Sequence, residues 1–109
     1  MKLFSIIAAL VLFVSLPASA GEMYGAITDG DKPVGENIKI DVTASGKTYE
    51  AETDKNGGYR LFVKEKGKCS FTVHYRDQAL TADVFSYDKS LRYDWKIEQK
   101  DGKYQLKRK

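Results

Sequence analysis

Apolar and polar residues alternate along most of this chain. Between Leu91 and Glu98 the pattern is strict: Leu91, Tyr93, Trp95 and Ile97 fall on one face, and Arg92, Asp94, Lys96 and Glu98 on the other. A period of two is the mark of a strand with one buried and one wet face. Shorter runs of the same kind predict strands over 23–28, 37–43, 47–53, 59–63, 69–75, 79–85 and 104–107. In the second of these Ile38, Ile40 and Val42 point toward a core, and in the sixth Leu80, Ala82 and Val84 do so. Turn formers separate the runs: the Asp29 to Gly35 loop, Ser45-Gly46, the charged 64–68 segment, Arg76-Asp77-Gln78, the 86–90 loop and the Asp101-Gly102 pair favoured in two-residue hairpins. Short strands at this spacing, with no helical period beyond the first twenty residues, predict an all-β, antiparallel sandwich of seven to eight strands.

The first twenty residues follow another logic. Met1-Lys2 is positive, Leu3 to Leu16 is almost wholly apolar, and Ala18-Ser19-Ala20 has the small-residue pattern of a cleavage site. Residues 1–20 are therefore expected to be a secretory signal peptide, and residues 21–109 one exported domain, periplasmic or secreted. An apolar run of about 14 residues is shorter than the roughly 20 that a spanning helix needs, so no membrane span is expected. No cysteine follows the cleavage pattern, which argues against lipid attachment there. Without Lys2 the 18 basic residues become 17 against 15 acidic ones, a net charge of +2. So even a balance points away from nucleic acid. The basic residues that close the chain, Lys103, Lys107, Arg108 and Lys109, read as a solvated edge or as a surface for an anionic partner. Cys69 is the only cysteine, so no disulfide staples the domain internally; in the register of Phe71, Val73 and Tyr75 it reads as a small buried residue, with pairing between chains as the alternative.

The most informative stretch is Thr53-Asp54-Lys55-Asn56-Gly57-Gly58-Tyr59-Arg60-Leu61. An Asp carboxylate here can accept backbone N–H groups just ahead of it, and Asn56, Gly57 and Gly58 tolerate positive φ, so the stretch predicts an Asx-type turn joining two antiparallel strands. Asp54, Asn56, Gly57 and Tyr59 are thus assigned to structure, not to chemistry. The spacing of Thr53-Asp54, Gly57 and Tyr59 resembles the signature of carboxypeptidase regulatory-like domains, which are prealbumin-like (transthyretin-like) β-sandwiches related to collagen-binding B repeats. Upstream, Gly25, Ile27, Asp29, Gly30, Pro33-Val34 and the Ile38/Ile40 alternation are similar to the opening half of the same domains. The resemblance covers residues 25–61 and implies a non-enzymatic β-sandwich that works by binding. Cys69 departs from it, standing where the family commonly has an aromatic residue.

Candidate chemistry is sparse. His74 is the only histidine, so a Ser-His-Asp triad would have to recruit an exposed strand residue. Transthyretin-like hydrolases of 5-hydroxyisourate rely on more than one His and a Tyr-Arg-Gly-Ser tail, which this chain lacks, and a B-repeat isopeptide crosslink would need an Asn late in the chain, whereas the asparagines are Asn37 and Asn56. Glu50 and Glu52 share a strand face that reads as solvent. Asp29 and Asp31 could contribute to a weak calcium site in the Pro33 loop, though acidic loop residues usually serve turns. No cofactor is expected. Aromatic residues are the remaining signal: Tyr87 in a loop, and Trp95 if its face were open, could stack on sugar rings or anchor in a partner. The expectation is a binding module for a protein partner, with a carbohydrate or envelope polymer held by Tyr87, Trp95, Lys107, Arg108 and Lys109 as the alternative. Edge strands offer a further mode, addition of a partner strand.

Overall fold

The computed structural model describes residues 21–109; the expected signal peptide lies outside them. The described residues form ten strands and no helix: β1 Glu22–Asp29, β2 Lys32–Pro33, β3 Lys39–Ala44, β4 Lys47–Glu52, β5 Gly58–Phe62, β6 Gly67–Tyr75, β7 Gln78–Ser86, β8 Leu91–Arg92, β9 Trp95–Lys100 and β10 Lys103–Arg108. Two of them, β2 and β8, are two-residue pieces, and the other eight match the eight alternating runs. One sheet has the order β4-β3-β6-β7. In the other, β1 is central, with β5 and β2 on one side and β8 and β9 on the other, and β10 pairs with β9. The fold is all-β, two mainly antiparallel sheets packed as a sandwich.

Alternation decides what lies between the sheets. Met23, Ile27, Leu61, Trp95 and Ile97 from one sheet meet Ile40, Val42, Phe71, Val73 and Val84 from the other, all buried. Trp95 lies almost flat on Phe71 across the core, with ring centroids 5.0 Å apart, and Tyr59 meets Phe71 edge-on at 5.2 Å. Such pairs add about 0.5–1.5 kcal/mol beyond the area they bury. Cys69 is buried, as its register predicts. Three hairpins turn on two residues with positive φ: Ser45-Gly46, Arg76-Asp77 and Asp101-Gly102. That is the geometry whose twist matches the flanking strands.

Two expectations need correction, and one, the antiparallel sandwich, holds with a refinement. First, the run from Leu91 to Glu98 is not one strand. It breaks at Tyr93-Asp94, where the chain pinches against β1: Tyr93 N–H donates to the Tyr24 carbonyl at 2.8 Å, and Asp94 Oδ1 accepts from Ala26 N–H at 3.0 Å. A Cβ at Gly25 would sit 2.0 Å from the Tyr93 carbonyl oxygen, so only glycine permits the approach. Second, the sheets are not wholly antiparallel. β1 pairs in parallel with both β8 and β9, because the chain reaches them after passing through the other sheet. The Asp29 to Gly35 loop also holds a short ladder, Thr28 and Asp29 pairing with Pro33 and Lys32.

Third, the Asp54 turn does not close a hairpin: β4 belongs to one sheet and β5 to the other, so the turn carries the chain across the sandwich. Its residues work as a joint. Thr53, buried, donates its hydroxyl to the Gly35 carbonyl at 2.6 Å and accepts from Ile38 N–H at 3.0 Å. Asp54 Oδ1 accepts from Asn56 N–H at 2.9 Å and Gly58 N–H at 2.8 Å, and Asp54 N–H donates to the Gly58 carbonyl. Of Asn56, Gly57 and Gly58, Gly57 alone takes positive φ, and its carbonyl accepts from Ile27 N–H at 2.9 Å. The Tyr59 hydroxyl passes β1 at Gly25 to reach the Tyr93 carbonyl at 2.6 Å, and burial pushes its pKa well above the ordinary phenol range. Each position of the signature has a structural task.

Candidate functional site

The alternation of β7 turns Leu80, Val84 and Ser86 inward and Thr81, Asp83 and Phe85 outward. Phe85 is therefore an aromatic ring in a polar register. It is 45% exposed, and Tyr87, just beyond the strand, is 50% exposed and folds back to stack on it, with centroids 6.3 Å apart and planes 17° from parallel. Ion pairs flank the two rings: Lys68 with Asp83 at 3.4 Å and Lys66 with Asp88 at 2.8 Å. Tyr87, Asp88, Lys89 and Leu91 line a shallow hollow beside them.

The platform is anchored from behind. The Tyr93 hydroxyl donates to the Phe85 carbonyl at 2.9 Å and accepts from Phe85 N–H at 3.1 Å, which occupies both backbone groups of that residue. Tyr93 is itself held, its ring buried, stacked toward Trp95 at 6.1 Å and covered by the Arg108 guanidinium at 4.3 Å. Ser86 adds a hydroxyl contact to the Val63 carbonyl at 3.5 Å. Aromatic surface fixed in this way loses little conformational entropy when a partner covers it.

The other residues singled out from sequence fall elsewhere. Trp95 is 2% exposed, so it cannot stack on a ligand; the apolar face of its strand turned it into the core. Lys107, Arg108 and Lys109 do not form a free basic tail. Lys107 pairs with Glu98 at 3.3 Å, Arg108 lies over Tyr93, and Lys109 N–H donates to the Asp94 carbonyl at 3.0 Å, extending the β10 ladder. Tyr87 alone of that set offers open aromatic surface, and Phe85, its partner, was legible as an outward position in β7. Phe62 is a third exposed ring, at 44%, on the outer face of β5.

His74 Nε2 lies 2.6 Å from Asp41 Oδ2 on an outer face, and among the described residues no hydroxyl bonds to the imidazole. Burial pushes the Cys69 thiol up, away from the reactive thiolate. Asp29 accepts the Tyr75 hydroxyl at 2.5 Å, and among the described residues no group of three His, Cys, Asp or Glu could hold a metal ion. A polar cleft lies over Tyr24, Gly25 and Gly58, flanked by Arg60, Arg92, Glu52 and Asp54. Its guanidiniums are already engaged, Arg60 Nε with Glu22 at 2.8 Å and Arg92 Nε with Asp94 at 2.9 Å, and Glu52 and Asp54 add negative charge, so the cleft does not favour an anionic ligand. Among the described residues no helix is long and apolar enough to cross a membrane. No protein-family model matches the chain, and no curated protein matches it.

Proposed function

We propose that this chain is an exported, non-enzymatic binding module of the carboxypeptidase regulatory-like kind, and that it engages a protein partner in the cell envelope or outside the cell through Phe85 and Tyr87. The observation that carries the reading is the stacked, half-exposed pair whose backbone is pinned by Tyr93. Two neighbouring rings held open to solvent, with an ion-paired rim, have the composition of an interface centre. The sandwich architecture, the Asp54 joint and the signal-like first twenty residues support the family and the address.

A photoreactive residue at position 87, in the native host, tests this against the same residue at Glu50, an exposed position of β4 at the far edge of the same sheet. The expected result is a discrete protein adduct from position 87 that is missing from position 50 and is lost in Phe85→Ala. Equal labelling from both positions, or none, sinks the proposal. The parallel rings beside Lys66, Lys68 and Lys89 favour a glycan as the second reading. A glycan or peptidoglycan fragment at about 100 times its Kd adds roughly 2.7 kcal/mol, on the order of 10 °C in thermal midpoint for a domain of this size. A shift of that size that disappears in Tyr87→Ala would move the assignment to carbohydrate.

A further inference from the structure

A sandwich has four edges, and in this one they are not equally protected. Natural edges are blunted by charge, proline, bulges or cover, because a bare row of N–H and C=O groups is a template for another strand. β4 carries Lys47, Glu50 and Glu52. β5 has one outward residue, Gly58, taken up by Asp54, and another is Arg60. β10 carries Lys103, Lys107 and Arg108, and its Tyr104 N–H donates to Gln78 Oε1 at 3.1 Å. β7 differs. It is nine residues long, pairs with β6 from Gln78 to Ser86 without a bulge, has no proline or lysine, and bears the single charge of Asp83.

The register says which backbone groups of β7 are free. In an antiparallel strand, alternate residues turn both N–H and C=O to the same side. Phe85 turns both away from β6, to Tyr93, so Ala79, Thr81 and Asp83 face the same way. Those three are exposed, and their backbone groups have no partner among the described residues. The interval is stopped at both ends, by Tyr93 on Phe85 and by Gln78 on Tyr104 N–H. Between the stops a groove of ≈ 330 Å³ is lined by Ala79, Leu80, Thr81, Tyr104, Leu106 and neighbouring residues of β10.

We infer that β7 is an acceptor edge: an extended, uncharged segment of a protein partner, about five residues or roughly 16 Å long, adds to Ala79–Asp83 as an outer strand. A polypeptide backbone supplies alternating donors and acceptors at the spacing of these three residues; a glycan does not. The segment's inward side chains lie over the groove toward Leu106 and Tyr104, so apolar residues at alternate positions suit it. This inference rests on the reading of the chain as a protein-binding module and names the form the partner takes.

The test is selection of a random heptapeptide library on the purified full chain, followed by amide hydrogen exchange with the best binder. The expected result is that Ala79, Thr81 and Asp83 amides slow at least tenfold at saturation, and that Thr81→Pro weakens binding at least tenfold. Because the Thr81 N–H points away from β6, proline removes no backbone bond of the ladder and only the exposed bond between the Thr81 and Thr72 hydroxyls (3.1 Å), and the thermal midpoint of the variant shows that it is folded. Failure to select a binder, protection at another edge, or unchanged binding by Thr81→Pro overturns the inference. So does concentration-dependent protection of these amides without peptide, which would make the occupant a second copy of the chain. The two proposals separate cleanly. An adduct at position 87 that survives Thr81→Pro leaves the aromatic platform standing without strand addition, and peptide binding unaffected by Tyr87→Ala leaves strand addition standing without the platform.

Discussion

The two long flanks of the sandwich are closed by different means. On the β4/β5 flank the chain itself crosses between sheets, and Asp54, four residues away, takes up the Gly58 N–H with its carboxylate and the Gly58 carbonyl with its backbone N–H. On the β7/β10 flank no covalent crossing exists between the two edges. Side chains from distant positions do the closing, Tyr93 reaching Phe85 at one end and Gln78 reaching Tyr104 at the other. Where the chain itself crosses, the outward groups of Gly58 are taken up and the rest of the edge is guarded by the charges of Lys47, Glu50, Glu52 and Arg60, whereas a flank stitched by side chains is closed only where they land. The open interval on β7 follows from that difference.

The harshest way to break the comparison is to displace the joint or the stop. A Cβ at Gly57 would lie 2.5 Å from the Ile27 carbonyl oxygen, at φ +77°, and one at Gly25 would lie 2.0 Å from that of Tyr93. Gly57→Ala and Gly25→Ala should each cost about 3 kcal/mol or more in denaturant unfolding, and a loss under about 1 kcal/mol would show that the backbone there yields. Asp54→Ala sharpens the contrast, since it strands two turn N–H groups. A cost of about 1–2 kcal/mol is expected, with faster amide exchange at Gly58 and none at Phe85. Tyr93→Phe is the counterpart on the other flank, expected at about 1 kcal/mol, with faster exchange at Phe85 and an open edge extended to that residue. If the Phe85 amide stays as slow as in the parent protein, the hydroxyl is not the stop.

The mildest effect near neutrality concerns pH. Burial raises the ionisation of the Cys69 thiol, the Tyr59 phenol and, with help from the Asp29 carboxylate, the Tyr75 phenol. A folded-state value raised above the unfolded one gives stability that is complete below the unfolded value and is lost as pH climbs toward the folded one. The thermal midpoint should therefore fall from about pH 8.5 upward, where the unfolded thiol begins to ionise, and steepen near pH 10. Tyr59→Phe should flatten that alkaline decline, and an unchanged slope would assign it to other groups.

Much of this architecture was legible because a period of two needs no tertiary information. The alternations around Ile40, Phe71, Val84 and Trp95 placed those side chains in the core, and the same reasoning puts Phe62 and Phe85 outside it. The Asp54 turn was legible as a turn, since Asp and Gly act within a few residues. Its role as a crossing was not, because a turn's local chemistry is the same whether its strands share a sheet or part. The break at Tyr93-Asp94 was hidden in a flawless alternation; its cause is a missing Cβ at Gly25, far away in sequence. The stop on Phe85 was likewise invisible, because the same pinch against Gly25 decides where the Tyr93 hydroxyl lands.

The parallel pairing of β1 bears on when this fold can exist. Ala26 and Asp94 bond across a separation of 68 residues, and Ile27 lies beside Trp95. A chain that emerges N-terminus first, from a ribosome or a translocation channel, holds one side of its first strand unpaired until nearly its last strand is out. Contacts so far apart in sequence slow folding, because the loop between them must be closed before they contribute. The β4-β3-β6-β7 sheet can assemble during emergence, but the sheet that holds Trp95, and with it the stop on Phe85, must wait for the end of the chain.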